Sequence, residues 1–242
     1  MTPSRMLVIL PALNEARNLP KTLTSIRQIV PHADILVIND GSTDDTGAVA
    51  RAHGARVLTM PYNVGIGAGV QTAFQFAHRY GYDIVVRNDG DGQHASDGIM
   101  RLVTALQSGQ YDVIVGSRFL REGAGDYGTS PARLLGINIL RSLLRALTGW
   151  PVTDPTSGFG AFNQRAIALF AQHYPHDYPE PESILLLHRA GLTMGETPIT
   201  MKPREHGRSS ITTLSSIYYM VKVVLALLIQ RMRREPVLQG KI

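Results

Sequence analysis

Short apolar runs alternate with amphipathic stretches through the first half of the chain. Met6-Leu7-Val8-Ile9-Leu10 reads as a buried strand stopped by Pro11. Asn14 or Asn18 is a candidate cap for a helix running to about Val30, with Leu19, Leu23, Ile26 and Val30 on one face. Asp34 to Asn39 is a second strand, and the loop Asp40-Gly41-Ser42-Thr43-Asp44-Asp45-Thr46 offers caps for a helix to about His53. Arg56 to Thr59 is a third strand, followed by a loop through Asn63-Val64-Gly65 and a helix to Tyr80. The run Ile84-Val85-Val86, a helix near Ser96 to Gln107 and the strand Tyr111 to Val115 complete this half. Strands and helices alternate at the pace of βα units, which predicts an α/β fold with a mostly parallel sheet covered on both faces.

After Gly116-Ser117-Arg118 the rhythm changes. Arg121 to Ser130 is a polar, glycine-rich loop with the composition of a mobile segment. Pro131 to Leu147 is a helix with Leu140, Leu143, Leu144 and Leu147 along one side and Arg133, Arg141 and Arg145 among them. It suits either a surface helix with arginines in solvent or a basic helix facing a membrane. Asp154 to Gly160 is a tight polar turn entering an apolar segment. A proline- and tyrosine-rich stretch, Tyr174 to Pro181, leads through Glu182 into a helix from Ser183 to Ala190, and Met194 to Met201 has the look of a late strand. Residues 211–229 are apolar nearly all round, with Arg231, Arg233 and Arg234 following. A buried C-terminal helix, an interfacial helix and a membrane span all fit that pattern. The arginines and tyrosines favour the interface, and the length is marginal for a span, which needs ~20 residues.

Composition narrows the classes. With 44% hydrophobic and 18% charged residues among 242, the chain is globular and can bury a substantial core. It has no cysteine, which excludes disulfides and thiolate metal sites. A net charge of +5 points to an anionic partner. The basic residues lack the interleaved aromatic platform of a nucleic-acid module, so that partner is not nucleic acid. The N-terminus has no signal-peptide pattern before its first strand.

The chemistry gathers where the run Ile84-Val85-Val86-Arg87-Asn88 meets Asp89-Gly90-Asp91-Gly92-Gln93. Carboxylates at i and i+2 of an extended chain point the same way, so Asp89 and Asp91 can converge on one object. At the carboxyl edge of an α/β sheet, where ligands bind, two oxygen donors suit a hard cation such as Mg2+ or Mn2+ shared with phosphates. Alone, the pair is equally an acidic turn capping the next helix. Two other patterns fail: the glycines at 65, 67 and 69 miss the dinucleotide-binding spacing, and Met100 stands where a calcium loop needs glutamate.

Two further motifs change the odds, Pro11-Ala12-Leu13-Asn14-Glu15 and the loop from Asp40 to Thr46, both in register with Asp89-Gly90-Asp91. Together they resemble the family 2 glycosyltransferases of the GT-A fold, a Rossmann-like sheet. Gly116-Ser117-Arg118 and the segment Arg204 to Ser210 narrow this to the dolichol-phosphate mannose synthase and polyprenyl-phosphate glycosyltransferase branch. The resemblance, which covers about residues 6–210, implies a glycosyltransferase domain over residues 1–210; 211–242 is set apart by its own pattern as a hydrophobic and basic membrane-interface helix. The resemblance implies inverting transfer from a UDP- or GDP-linked sugar, with the divalent cation held by Asp89, Asp91 and Gln93. Nucleotide binding falls to Pro11, Asn14, Glu15, Asp40, Asn63 and Asp89, and phosphate contacts to Arg118, Arg133, Arg204 and Ser209. It further implies a peripheral or C-terminally anchored location on the cytoplasmic face of a membrane, with room for a small membrane-protein partner.

Residue chemistry gives a parallel reading. Asp40 can accept from a base N–H or cap the helix at Thr43, and Arg118 and Arg204 can add charge-assisted contacts to phosphate. A sugar-hydroxyl acceptor requires a general base, for which Asp154, Glu180 and Glu182 are candidate carboxylates in the second half. A polyprenyl phosphate, with its second pKa at about 6, is already a nucleophile. Arginine outnumbers carboxylate in the later motifs, which favours phosphate. The alternatives are a lipid-linked glycan hydroxyl as acceptor, or a catalytically idle nucleotide- or membrane-binding protein.

Overall fold

The computed structural model describes residues 4–88, 97–120, 131–200 and 213–233. In chain order these form β1 (Met6–Ala12), α1 (Leu19–Ile29), β2 (Asp34–Asn39), α2 (Thr46–Ala52), β3 (Arg56–Thr59), α3 (Ile66–Arg79), β4 (Ile84–Arg87) and α4 (Asp97–Gln107). The second half adds β5 (Val113–Ser117), α5 (Pro131–Thr148), β6 (Gly160–Asn163), α6 (Gln164–Gln172), α7 (Pro179–Arg189), β7 (Met194–Pro198) and α8 (Thr213–Met232). The strands form one sheet in the order β3-β2-β1-β4-β6-β5-β7. Every pairing is parallel except those of β6, which runs antiparallel to both β4 and β5.

Strand alternation sorts the apolar residues onto two faces. Val8, Leu10, Val37 and Val86 pack with Leu19, Leu23 and Ile26 of α1 and Ile99, Leu102 and Val103 of α4. Leu7, Ile9, Leu36 and Val85 pack on the other face with Val70, Phe74 and Ala77 of α3 and Ile167 and Phe170 of α6. The sheet is therefore covered on both sides, as near-continuous apolar strands require. Chain order reverses between β1 and β4, because β2 and β3 lie on one side of β1 and all later strands on the other. The carboxyl ends of β1, β2 and β4 thus open onto one crevice at a topological switch point.

Several local expectations shift. Asn18 stands at the N-cap of α1 without a side-chain cap bond, and its amide donates to Glu15 Oε2 at 2.6 Å. The Gly160–Asn163 run is a strand, and Asn163 then caps α6 by accepting from Ala166 N–H. The helix expected from Ser183 begins at Pro179. Proline is tolerated in a first turn, where backbone N–H groups have no intrahelical acceptor. Arg141 of α5 reaches neither water alone nor a bilayer: Nε donates to Thr153 O at 2.6 Å and Nη1 to Asn138 Oδ1 at 2.9 Å. Its guanidinium lies 4.5 Å from the Phe119 ring centre. The loop 121–130 lies outside the described residues.

The C-terminal helix docks by one side. Val223 and Leu227 of α8 are fully buried against Leu140 and Leu144 of α5 and Ile184 and Leu185 of α7. Arg189 donates to the carbonyls of Gln230 and Arg233 at its C-terminal end, and Gln230 Nε2 donates to Glu182 O at 3.2 Å. Val221, Leu225, Leu228, Ile229 and Met232 stay exposed. Among the described residues no helix is long and apolar enough to cross a membrane.

Behind the crevice, the first turn of α3 touches the 175–176 backbone so closely that a Cβ on Gly67 would lie 2.4 Å from His176 O and 2.6 Å from Pro175 O. Alanine normally gains about 1 kcal/mol over glycine inside a helix. Here overpacking against backbone, typically about 1–3 kcal/mol, outweighs it. Gly67→Ala is expected to lower stability in urea unfolding; an unchanged or raised midpoint would contradict this packing.

Candidate active site

The loop after β1 and the loop after β2 are laced together at the crevice. Asn14 takes the left-handed conformation at φ 57°, affordable for asparagine because its short polar side chain bonds locally. Its backbone N–H donates to Ser42 Oγ at 3.0 Å, and its Oδ1 accepts from Thr43 N–H at 2.9 Å. Glu15 N–H donates to Thr46 Oγ1 at 2.9 Å and Ala16 N–H to Asp44 Oδ2 at 3.2 Å. Burial would raise the Asp44 pKa, but the donors from Thr46 and Ala16 outweigh it and hold the carboxyl below its ordinary 3.8. Asn14 therefore ties two loops together and does not cap α1.

Asp40 sits at the floor of this arrangement, 7% exposed. Its Oδ1 accepts from Val64 N–H at 2.8 Å and its Oδ2 from Gly65 N–H at 3.1 Å. It does not cap the helix at Thr43; the carboxylate reaches across to the loop before α3, where Asn63 Oδ1 also accepts from Gly65 N–H at 3.0 Å. Each carboxylate oxygen retains a lone pair for a further donor. Gly41, at φ 69°, is required here because a Cβ would lie 2.5 Å from the Tyr62 and Asn63 backbone. Pro11, near the end of β1, and Asn14, Glu15, Asp40 and Asn63, on neighbouring bonded loops, are thus gathered together.

β4 carries the chain to the same edge. Asn88 N–H donates to Ile9 O at 3.0 Å, and the Asn88 side chain is 1% exposed. Its Oδ1 has no hydrogen-bond partner among the described residues. Asp89, Asp91 and Gln93 follow directly and lie outside the described residues, as do Arg204 and Ser209. Among the described residues there is no cluster of three or more histidine, aspartate or glutamate side chains able to hold a metal. Asp89, Asp91 and Gln93 offer oxygen donors only, a set that fits a hard divalent cation.

Two arginines that end strands are buried, each with a carboxylate from the second half. Arg87, 3% exposed, donates from Nη2 to Glu180 Oε1 at 2.8 Å and from Nη1 to the Tyr174 hydroxyl at 3.0 Å. Arg118 forms a two-pronged pair with Asp154: Nε to Oδ2 at 2.6 Å and Nη2 to Oδ1 at 2.7 Å. Nη2 also donates to Thr156 Oγ1 at 2.7 Å. The turn carrying Asp154 is held by Glu196 of β7, which accepts from the N–H groups of Thr153 and Asp154. Burial pushes the Glu196 carboxyl above its ordinary 4.5 against those donors.

The candidates therefore regroup. Asp154, read as a general base, is paired with Arg118 and 1% exposed, and Glu180 is paired with Arg87. Glu182 accepts from Tyr178 N–H at 3.2 Å in the first turn of α7; burial pushes its carboxyl up, helped by Asp177. Arg133 lies on an exposed position of α5. Arg87 and Glu196 were missed as site residues. The signal for Arg87 was a charge ending the apolar run Ile84-Val85-Val86, which demands a partner when buried; Glu196, between Gly195 and Thr197, gave none.

Comparison with known proteins agrees with this geometry. Residues 7–170 match the family described as Glycosyl transferase family 2. The undecaprenyl-phosphate mannosyltransferase of Micrococcus luteus is 33% identical over 217 residues, covering 86% of this chain and 88% of that protein. The polyprenol monophosphomannose synthase of Mycolicibacterium smegmatis is 32% identical, covering 90% of this chain and 85% of its own. Among solved structures, glucosyl-3-phosphoglycerate synthase of Mycobacterium tuberculosis, in complex with Mn2+, UDP and phosphoglyceric acid, superposes with a TM-score of 0.71. It is 25% identical and the match covers 95% of this chain and 78% of that one. With the sheet order, the laced loops and these matches in agreement, the chain belongs to the family 2 glycosyltransferases, in the branch resembling dolichol-phosphate mannose synthase.

Proposed function

We propose that the protein transfers a sugar from a UDP- or GDP-linked donor to a polyprenyl phosphate. The observation that carries the choice of acceptor is the engagement of the second-half carboxylates. Asp154 is locked by Arg118 and Glu180 is bound by Arg87. Glu182 serves the backbone of its own helix. A hydroxyl acceptor needs a carboxylate free to act as a base, and these three candidates are engaged. A phosphate monoester is ionised near neutrality and needs cationic placement instead. The two mannosyltransferase relatives, named for polyprenyl-type phosphates, support the same reading.

In this reading the nucleotide lies over the laced loops, with Pro11, Asn14 and Glu15 lining the pocket, Asn63 at its rim and Asp40 accepting from the base. Asp89, Asp91 and Gln93 would hold a divalent cation; when bound, it neutralises charge on the leaving diphosphate. Asp89 would serve both nucleotide and cation. Arg118, Arg133, Arg204 and Ser209 would receive the acceptor phosphate. Asp154 then acts as the partner that orients Arg118, a change from the base role first considered. The Mn2+ and UDP in the structural neighbour support the cation.

The acceptor is a membrane lipid in this reading, and two helices supply an attachment surface. Leu134, Leu135 and Ile139 of α5 are exposed, as are Val221, Leu225, Leu228, Ile229 and Met232 of α8. Arg231 and Arg233 end α8 on exposed positions. Apolar side chains rimmed by arginine suit peripheral attachment to anionic lipid.

Two outcomes are expected. Glu182→Gln should keep most of the wild-type turnover with polyprenyl phosphate, while Arg204→Ala should lose about a hundredfold, the cost of an unpaired phosphate charge. The reverse ranking would indicate a hydroxyl acceptor. Val221→Glu with Leu225→Glu should reduce partition onto phosphatidylglycerol vesicles about tenfold or more without changing the melting temperature. Unchanged partition would remove α8 from the membrane surface.

A further inference from the structure

Glu196 lies outside the motifs named above, yet it meets the segment that carries Asp154 from the edge of the sheet. It lies on β7 opposite Val115 of β5. Thr153 N–H lies 3.0 and 2.9 Å from its two oxygens, the Thr153 hydroxyl donates at 2.6 Å and Asp154 N–H at 2.9 Å. From the other side, Arg141 Nε binds the Thr153 carbonyl at 2.6 Å. The Thr153 hydroxyl proton is directed to Glu196, so Ser117 Oγ donates to Thr153 Oγ1 across 2.6 Å. The peptide at 153–154 is thereby fixed through its N–H groups and its carbonyl together. Asp154 follows at once, and its carboxylate sets the plane of the Arg118 guanidinium.

We propose that Glu196 is a positioning residue for the transfer reaction: by gripping the Thr153–Asp154 turn it holds Asp154 in the orientation that presents Arg118 to the acceptor phosphate. This rests on the role proposed above for Arg118. Anchoring β7 does not account for the carboxylate, since β7 is already paired with β5 from Val113 to Ser117. Nor does packing alone, because a buried carboxylate beside a second one is costly and a neutral amide of the same shape would relieve that cost. What an amide cannot supply is two acceptor oxygens for three converging donors.

The test uses the full chain and two variants that cut the link from opposite ends, Glu196→Gln and Thr153→Val. The Arg118 Nε–H resonance is assigned by its loss in Arg118→Lys. In both variants its exchange with water should quicken about tenfold, the effect of losing one well-placed hydrogen bond. The double variant should be no worse than either single one. Affinity for farnesyl phosphate should weaken about tenfold by the same measure, while the melting temperature and the amide signals of the Asp40 loop stay unchanged. An unaltered Arg118 signal in both variants overturns the proposal. So does faster exchange spread evenly through the sheet, which marks a general structural role. A wild-type Arg118 signal indifferent to farnesyl phosphate overturns the phosphate role of Arg118, and with it the catalytic meaning of Glu196, while the hydrogen-bonded geometry stands.

Discussion

A guanidinium removed from water must find acceptors for its donors, and this constraint organises the catalytic edge of the sheet. Two strands end in buried arginines, Arg87 on β4 and Arg118 just past β5. Among the described residues the carboxylates they meet come from the second half of the chain, Glu180 and Asp154. The antiparallel strand β6 makes those meetings possible. Inserted between β4 and β5, it starts at the level of Arg87 and Val115, with Gly160 opposite both. Its preceding turn is therefore delivered to the carboxyl edge. Gly158 in that turn lies so near the Arg87 guanidinium that a Cβ would stand 2.6 Å from Nη2. A parallel strand in the same place would have sent its leading turn to the opposite edge.

This arrangement divides the labour between the halves. The first half gives loops that bind one another's backbone, with Asp40, Asn14 and Thr46 as the fasteners, and the proposed function lays the nucleotide over them. The second half supplies carboxylates that engage arginines and orient them. Charge-assisted, two-pronged pairs such as Arg118–Asp154 fix direction as well as distance. Removing one partner would strand a buried charge, which is far costlier than the pair is worth as a source of stability. The pairs are best understood as devices of orientation.

The alternation of the first half was legible because each strand and helix is long enough to show its own period. The loops after β1 and β2 stood out as motifs, and the mostly parallel sheet followed from the βα rhythm. β6 was not: four residues, Gly160 to Asn163, carry too little pattern, and their pairing with strands far away in sequence is decided by packing. The role of Asp154 was hidden for a similar reason, since its partner is 36 residues earlier. A lone carboxylate in a polar turn reads equally well as base, cap or counter-ion. Asn14 was misjudged because its left-handed backbone turns the side chain toward Thr43 instead of α1. The exposed side of α8 was legible as apolar, whereas its docked side at Val223 and Leu227 emerged only against α5 and α7.

The central claim is that the acceptor is a phosphate, so the new bond joins sugar to phosphorus-bound oxygen. The most direct measurement is the lability of the lipid product formed from a panel of labelled nucleotide sugars and undecaprenyl phosphate with Mn2+. A sugar joined to the lipid through a phosphodiester is released by mild acid, so the label should appear as free sugar, with polyprenyl phosphate consumed in the transfer. Label that survives mild acid in an ordinary glycosidic linkage, with undecaprenyl phosphate left intact, would contradict the account.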